Sequence, residues 1–517
     1  MTKNYVLAHD LGTTGNKATL YDRDGVLIAS AFYEYDTAFE HSGWAEQNPH
    51  DWWTAICVST RKLLSESGVD GREIACLSFS GQMQGAVAVD ERGYPLHNAL
   101  IWMDQRAVEQ TYGLESRIGT EKVYRITGHR LSQSYSLSKI LWMRDHEPDV
   151  YAQAHKFLCP KDAIVARLTG EFVTEPSDAS GMNLYDLEHG AWSDAILAAA
   201  RLDVNKLPKI ARSVDVVGHV LQSVADDIGL PAGTPVVIGG GDGACASVGA
   251  ASTREGVAYS YIGSSAWIAT ASAAPVYDDE MRTMTFGHVV PGLFIPIGTM
   301  QTAGAAYQWT RDQLAGEESA SAEQLELNVY DLMNNMAATS PAGANRLLFL
   351  PYLMGERAPR WNPDARAAFL GLSIRHTRAD MLRAVMEGVA LNMRVILDAL
   401  SQQTGRIDSL RLIGGGSTAR LWTQIMADVY GIPLTRLTIL EEATSMGAAV
   451  IGGVGVGLYP DFSIAERMNP VGETTSPNPA NRLIYDELYD LFESAYHALE
   501  PVYQKSAVKP LPSGIGI

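Results

Sequence analysis

The chain is poor in cysteine, in net positive charge and in long apolar runs. Its four cysteines, Cys57, Cys76, Cys159 and Cys245, lie far apart with no C-x-x-C pair among them. That argues against a disulfide framework and against a zinc site, and predicts reduced, buried thiols. Basic residues number 40 against 59 acidic ones, a formal charge of −19. A nucleic-acid surface needs clustered Lys and Arg, so no nucleic-acid partner is expected. The longest Gly-rich apolar run, Gly447 to Leu458, falls short of the roughly 20 residues of a spanning helix, and no membrane partner is expected either. At the amino terminus His9 and Asp10 cut the apolar run too early for a signal peptide. These absences predict a soluble, cytoplasmic protein. A chain of 517 residues exceeds what one hydrophobic core supports, which predicts two domains with a site in the cleft between them.

What is present centres on Pro235 to Ala251, PVVIGGGDGACASVGAA, close to the middle of the chain. An apolar strand, Val236 to Ile238, leads into three glycines, then Asp242, then small residues that open a helix packed against that strand. Glycine lets backbone approach a ligand where a Cβ would collide. Asp242 on such a loop is expected to be presented and not buried. It reads equally as a general base or metal ligand facing a cleft and as a helix N-cap.

Two hydroxyl-bearing glycine turns flank this stretch, each opening one half of the chain. Tyr5 to Ala8 leads through Asp10-Leu11-Gly12-Thr13-Thr14-Gly15 into a second strand from Lys17, and Val26 to Tyr35 completes a meander. Val257 to Ile262 leads through Gly263-Ser264-Ser265 into a strand from Trp267. Such turns offer N–H groups and hydroxyls to a phosphate, and Asp10 can hold Mg²⁺ beside the first. Their recurrence suggests a duplicated domain gripping a polyphosphate from both sides.

Other segments place polar residues at strand ends. Ile74 to Phe79 enters Ser80-Gly81-Gln82-Met83-Gln84-Gly85, which makes Met83 and Gln84 pocket candidates. Leu100 to Arg106 sets Trp102, Asp104 and Arg106 at alternating positions, either one functional face or a salt bridge under a Trp. Glu175 to Asp186 is rich in turn formers and reads as a loop over the cleft. Thr377 opens a long helix too broadly apolar for one buried face. Gly414-Gly415-Gly416-Ser417, between a strand and a helix, suits a nucleotide's sugar or phosphate. The run Gly239, Gly241, Ala244 also allows a nicotinamide oxidoreductase, but it does not open a compact βαβ unit with an acidic residue about 20 positions on.

Taken in order, these motifs resemble the FGGY family of carbohydrate kinases, most closely its D-xylulose kinases. The similarity runs through HDLGTTGNK, GWAEQNPHDWW, SGQMQG, LIWMDQR, CPKDAIVARLTGEF, VIGGGDG, FLPYLMGERAP, LIGGGS and EEATSMGAA. It implies an α/β fold of two actin-like (ribonuclease H-like) ATPase domains, residues 1–253 on the sugar side and 254–517 on the ATP side. It implies ATP and Mg²⁺ as cofactors and a small sugar as substrate, with a homodimer as the candidate assembly. The reaction implied is transfer of the γ-phosphoryl of ATP to a hydroxyl of a ketopentose, D-xylulose giving D-xylulose 5-phosphate. By the same resemblance Asp242 is the catalytic base, Met83, Gln84 and Trp102 line the sugar pocket, and Asp10 serves the metal. Thr13, Thr14 and Lys17 form the first phosphate loop, Gly263, Ser264 and Ser265 the second, and Gly414, Gly415, Gly416 and Ser417 the adenosine loop.

The chain departs from the family at two sugar contacts. Gln84 stands where xylulose kinases typically carry a His that touches the sugar, and Gly243 where they usually carry Asn. The phosphate loops and Asp242 remain. Another pentulose or a pentitol is the alternative acceptor, and an actin-like chaperone or filament ATPase the alternative class.

Overall fold

The computed structural model describes residues 3–440 and 442–506. In the first half, six strands form one mixed sheet: β1 (Tyr5–Leu11), β2 (Gly15–Asp22), β3 (Leu27–Glu34), β4 (Ile74–Gly81), β5 (Val216–His219) and β6 (Pro235–Gly241), in the order β5-β6-β4-β1-β2-β3. In the second, β7 (Ala258–Ile262), β8 (Ala266–Thr270), β9 (Met284–Gly287), β10 (Phe294–Met300), β11 (Leu410–Ile413), β12 (Leu434–Leu437) and β13 (Val471–Thr475) run β9-β10-β8-β7-β11-β12-β13.

The two sheets repeat one pattern. In each, three central strands are parallel, β6-β4-β1 and β12-β11-β7, with antiparallel strands on both sides. In each, the middle of the sheet turns back through a tight hairpin, β1 to β2 and β7 to β8. The duplication suggested by the glycine turns is therefore a duplication of sheets, and the turns occupy matching places. This is the two-domain, actin-like arrangement.

Helices cover both sheets. Helix α1 (Pro49–Ser67) begins where the Asn48 side chain accepts from His50 N and ends at Gly68 in the left-handed region. Helix α2 (Pro176–Gly181) lies in the stretch expected to be a loop over the cleft. That stretch is instead buried: Glu175 caps the helix through Ser177 N and Asp178 N, Lys161 meets Glu175 and Asp178, and the helix packs against β9 of the second half, where Gly287 N donates to the Ser180 hydroxyl. Helix α3 (Asp242–Gly249) follows β6. Helix α4 (Arg378–Thr404) opens on a capping box between Thr377 and Asp380 and is buried on more than one side, as its broad apolar face predicted. Helix α5 (Ala443–Gly455) packs on α3 and on the first sheet although it belongs to the second half. The four cysteines are free and buried, and among the described residues no helix is long and apolar enough to cross a membrane.

The crossing of α3 and α5 joins the halves. A Cβ on Gly249 would lie 1.9 Å from the Ala443 carbonyl oxygen, and one on Gly447 would lie 2.0 Å from that of Cys245. Around this contact Val237, Cys245 and Val248 of the first half share a core with Tyr259, Ile413, Met446 and Ile451 of the second. Gly447→Ala is expected to destabilise the protein by about 1–3 kcal/mol, the usual cost of overpacking. Denaturant unfolding of both proteins checks this, and an unchanged midpoint would contradict the close crossing.

Candidate active site

A pocket of about 220 Å³ opens at the carboxyl ends of β1, β4 and β6, walled on its far side by the second half. The chain reaches it through a backbone constraint. Gly239 has φ of +77°, and a Cβ there would sit 1.8 Å from the Phe79 carbonyl oxygen on neighbouring β4. Only glycine fits, and the chain then leaves the sheet through Gly240 and Gly241 into α3. The matching exit in the second half is Gly414, with φ of +87° and a Cβ position 2.6 Å from the Ile262 carbonyl oxygen.

Asp242 is the first residue of α3, and its N-cap is Gly241. The capping role left open by the sequence is thus not the one it plays. Its Oδ1 accepts from Gly243 N at 2.7 Å, and the side chain lines the pocket half-buried, less presented than expected. Burial, and then the negative charge of Asp10, push its carboxyl up to about 7. Asp10 is also raised by burial, with the Ser80 hydroxyl, which donates to Oδ1 at 2.8 Å, and the charge of Lys17 opposing. Lys17 itself is turned toward Glu442 at 3.6 Å. Among the described residues neither aspartate forms an ion pair, and both offer hard carboxylate oxygens of the kind that suit Mg²⁺.

The first turn is held by amides that the sequence did not single out. Gln47 donates to the Thr13 carbonyl at 2.6 Å, and Gln82 donates to Gln47 Oε1 at 2.8 Å and to the Gly12 carbonyl at 3.3 Å. Thr13 accepts from Trp102 Nε1 at 2.9 Å, which aims Trp102 into the pocket. Thr14 lies exposed outside it, held through its carbonyl by Tyr35 N. Asp104 and Arg106 separate from Trp102: they form a buried ion pair, 2.7 Å, with Arg106 stacked 3.6 Å over Trp44. Of the two readings of LIWMDQR, the salt bridge under a Trp holds for these two.

Met83 and Gln84 both line the pocket. Gln84 adopts φ of +63°, and buried Lys139 donates to its carbonyl at 2.8 Å and to that of Ser134 at 2.5 Å. Burial brings the Lys139 ammonium down to about 7. The only signal for Lys139 in the sequence was a lone lysine inside the apolar helix SLSKILWM.

The second turn divides two cavities. Ser265 lines the first, whereas Gly263 and Ser264 line a second of about 330 Å³ with Gly415, Gly416, Tyr330 and Trp422. Ala303 N and Ala305 N bond the Ser264 carbonyl at 2.9 and 3.0 Å and lock the turn. Gly414 and Ser417 do not line the cavity; the Ser417 hydroxyl donates to the Gly414 carbonyl at 2.6 Å and shapes the loop. Behind the first pocket, Lys161 lies 2.6 Å from Asp162, 3.0 Å from Asp178 and 3.5 Å from Glu175, all fully buried. Glu175 accepts from the Ser177 hydroxyl, which accepts from Gly241 N at 2.9 Å and so braces the approach to Asp242.

Duplicated mixed sheets with hydroxyl-bearing turns facing across a carboxylate pocket define a sugar-kinase type of phosphotransferase. The chain belongs to the FGGY family of carbohydrate kinases, whose N-terminal domain matches residues 5–249 and whose C-terminal domain matches residues 258–456. It is 32% identical to the xylulose kinase of Staphylococcus epidermidis over 96% of this chain and 97% of that protein. It is 30% identical to a gluconokinase of Bacillus licheniformis over 98% of both. Its fold matches the ligand-bound xylulose kinase of Lactobacillus acidophilus with a TM-score of 0.90 at 26% identity, over 97% of this chain and 99% of that one. The chain is therefore a carbohydrate kinase of a family that uses ATP, not a nicotinamide oxidoreductase or a filament ATPase.

The raised carboxyl of Asp242 has a consequence for stability. Its folded pKa, about 7, lies above the ordinary 3.8, so stability falls as pH rises from about 4 to 7 and the penalty is complete above that. Ligand-free Asp242→Asn is expected to melt above the wild type at pH 8, with the difference closing as pH falls toward 4. Thermal melts across that range check it; equal melting points at pH 8 would contradict the raised carboxyl.

Proposed function

We propose that this kinase acts in the cytoplasm, transferring the γ-phosphoryl of ATP to a hydroxyl of a ketopentose, with D-xylulose as leading acceptor and D-xylulose 5-phosphate as product. The observation that carries this reading is the sharing of one pocket by Asp242, Gln84 and Trp102 of the first half and the Ser265 turn of the second. Residues 1–253 would carry the acceptor and residues 254–517 the nucleotide, with the nucleoside in the second cavity and the phosphates passing Gly263–Ser265 toward Thr13.

Phosphoryl transfer asks the protein for positioning and charge stabilisation more than covalent chemistry. Asp242 accepts the proton of the attacking hydroxyl, a contribution of about 10²–10⁴-fold, from a pKa already near the working range. Trp102 and Gln84 orient the sugar; alignment of this kind is worth roughly 7–11 kcal/mol. The hydroxyls of Thr13 and Ser265 receive phosphate oxygens. Asp10 would hold Mg²⁺, which when bound neutralises phosphate charge. Apolar Met284, Phe286 and Ile297 on the second half's wall exclude water that would otherwise accept the phosphoryl group.

A second acceptor class, six-carbon aldonates, is favoured by the open space at Gly243, where a Cβ would meet nothing nearer than Met83 Sδ at 3.9 Å. Gluconokinases stand among the relatives beside xylulose kinases. The test is a panel of ketopentoses, pentitols and gluconate with Mg·ATP, scored for sugar phosphate formed stoichiometrically with ADP. Asp242→Asn is expected to retain binding of ATP and acceptor while kcat falls at least about 10²-fold; more than half of wild-type turnover would remove Asp242 from the role of base. ADP release without a phosphorylated product across the panel would overturn the kinase assignment for these acceptors.

Gln84 carries the specificity prediction. Gln presents a carbonyl acceptor and an amide donor on a flexible arm, neutral His one of each on a rigid ring. Gln84→His is expected to raise the kcat/KM preference for D-xylulose over the best competing acceptor about tenfold, or 1.4 kcal/mol. A ratio moved by less than about twofold, well inside that margin, would show that Gln84 does not read the sugar.

A further inference from the structure

The acceptor pocket contains a guanidinium for which the roles above have no use. Arg357, in the loop after the strand Leu348–Leu350, reaches the pocket from the second half and faces Trp102, its guanidinium carbon 5.9 Å from that ring. Among the described residues its side chain makes no hydrogen bond and no ion pair, and its Nε is buried without a partner. Thr299 Oγ1, lining the same pocket, is likewise buried and unpartnered.

The neighbouring carboxylate, Glu356, attracts the guanidinium through space but makes no ion pair or side-chain hydrogen bond with it among the described residues. Glu356 is committed elsewhere: it accepts from Gln301 N at 2.8 Å, from Arg357 N at 3.0 Å and from Asn392 Nδ2 at 3.0 Å. Those bonds fix the loop backbone and leave the guanidinium free to face the cavity. Burial also raises Glu356 to about 7 and weakens its negative charge. A guanidinium enclosed without an anion is costly, and a built site of this kind implies an anion that arrives with the ligand.

A ketose or pentitol brings no anion, and an aldonate brings a carboxylate only when it is the acceptor. The group that enters this pocket with negative charge in every turnover is the phosphoryl group, delivered past Ser265 and Thr13, which line the same cavity. We propose that Arg357 is a catalytic residue that hydrogen-bonds the phosphoryl group as it passes from ATP to the acceptor, in the pocket that it shares with Asp242. This rests on the reading of the pocket as the transfer site. In the step, the bond from acceptor oxygen to phosphorus forms as the bond from phosphorus to the ADP oxygen breaks. The hydroxyl proton goes to Asp242, and Arg357 keeps all its protons, contributing charge and donors.

The test compares wild type with Arg357→Met and Arg357→Lys. Steady-state kinetics use Mg·ATP with D-xylulose and then with whichever acceptor the panel ranks first. Calorimetry measures Mg·ADP binding with and without aluminium fluoride, a mimic of the transferring phosphoryl group. The Met variant is expected to lose at least about 10²-fold in kcat while both KM values stay within about threefold, with partial recovery in the Lys variant. Wild type is expected to bind Mg·ADP more tightly when aluminium fluoride is present, and the Met variant to lose that gain. Should the Met variant not fold, Lys carries the comparison, since a displaced point charge still lowers kcat and the aluminium fluoride gain. A raised acceptor KM at unchanged kcat would place Arg357 on the acceptor, on sugar hydroxyls or on an aldonate's carboxylate, and overturn the proposal, as would an undiminished aluminium fluoride gain. If wild type phosphorylates no acceptor, the assignment of the site falls, and the calorimetric comparison still decides whether Arg357 meets a phosphoryl mimic.

Discussion

The approach of Gly239 to the Phe79 carbonyl, too close to admit a Cβ, is the constraint on which the site depends. Strands β4 and β6 are parallel neighbours there, and the chain must leave the sheet in the left-handed region to clear the adjacent carbonyl. That exit starts α3 one residue after Gly241 and puts Asp242 at the mouth of the pocket instead of in the helix cap. Ser177 holds Gly241 N from behind, anchored by Glu175 of the buried Lys161 cluster. The same device recurs at Gly414 against Ile262, so one backbone solution sets both the carboxylate in the first half and the glycine loop beside the second cavity.

Electrostatics follow from that placement. Asp10 lies one residue before the end of β1, Asp242 begins α3, and each raises the demand for a cation because Lys17 is drawn off toward Glu442. Arg357, which lines the same pocket as Asp242, has a positive charge and a buried Nε with no hydrogen-bond partner among the described residues. The pocket therefore holds the Asp242 carboxylate and the Arg357 guanidinium among mostly apolar side chains. In so dry a setting fixed charges act more strongly than in water.

Much of the architecture was legible in local pattern. The strands of both hairpins, the helix from Thr377 and the glycine-bounded loops followed from alternation, helical periodicity and turn residues within short windows. Met83, Gln84 and Trp102 stood at strand ends, where open α/β sheets gather ligands. Glu175 to Asp186 misled because its Ser, Asp and Gly residues carry the composition of a loop. Its burial depends on Lys161, which supplies the charge that lets three carboxylates go inside. Asp104 and Arg106 shared a spacing with Trp102 yet serve a different purpose, since the chain turns after Leu100 and the alternation of a strand does not continue.

The sequence by itself determined the repeat of a hydroxyl-bearing glycine turn in each half, the family, and the residue types that phosphoryl transfer needs. Those are local or linear properties, set by backbone preference and motif order. Only the tertiary structure decided that Ser265 faces one cavity while Gly263 and Ser264 face another, that Gln47 and Lys139 hold the first turn and the Gln84 backbone, and that Arg357 meets Trp102 in one pocket. Each of these joins residues far apart in the chain, and their meeting is settled by which strands pair and how closely α3 and α5 cross, neither of which any short window of sequence encodes.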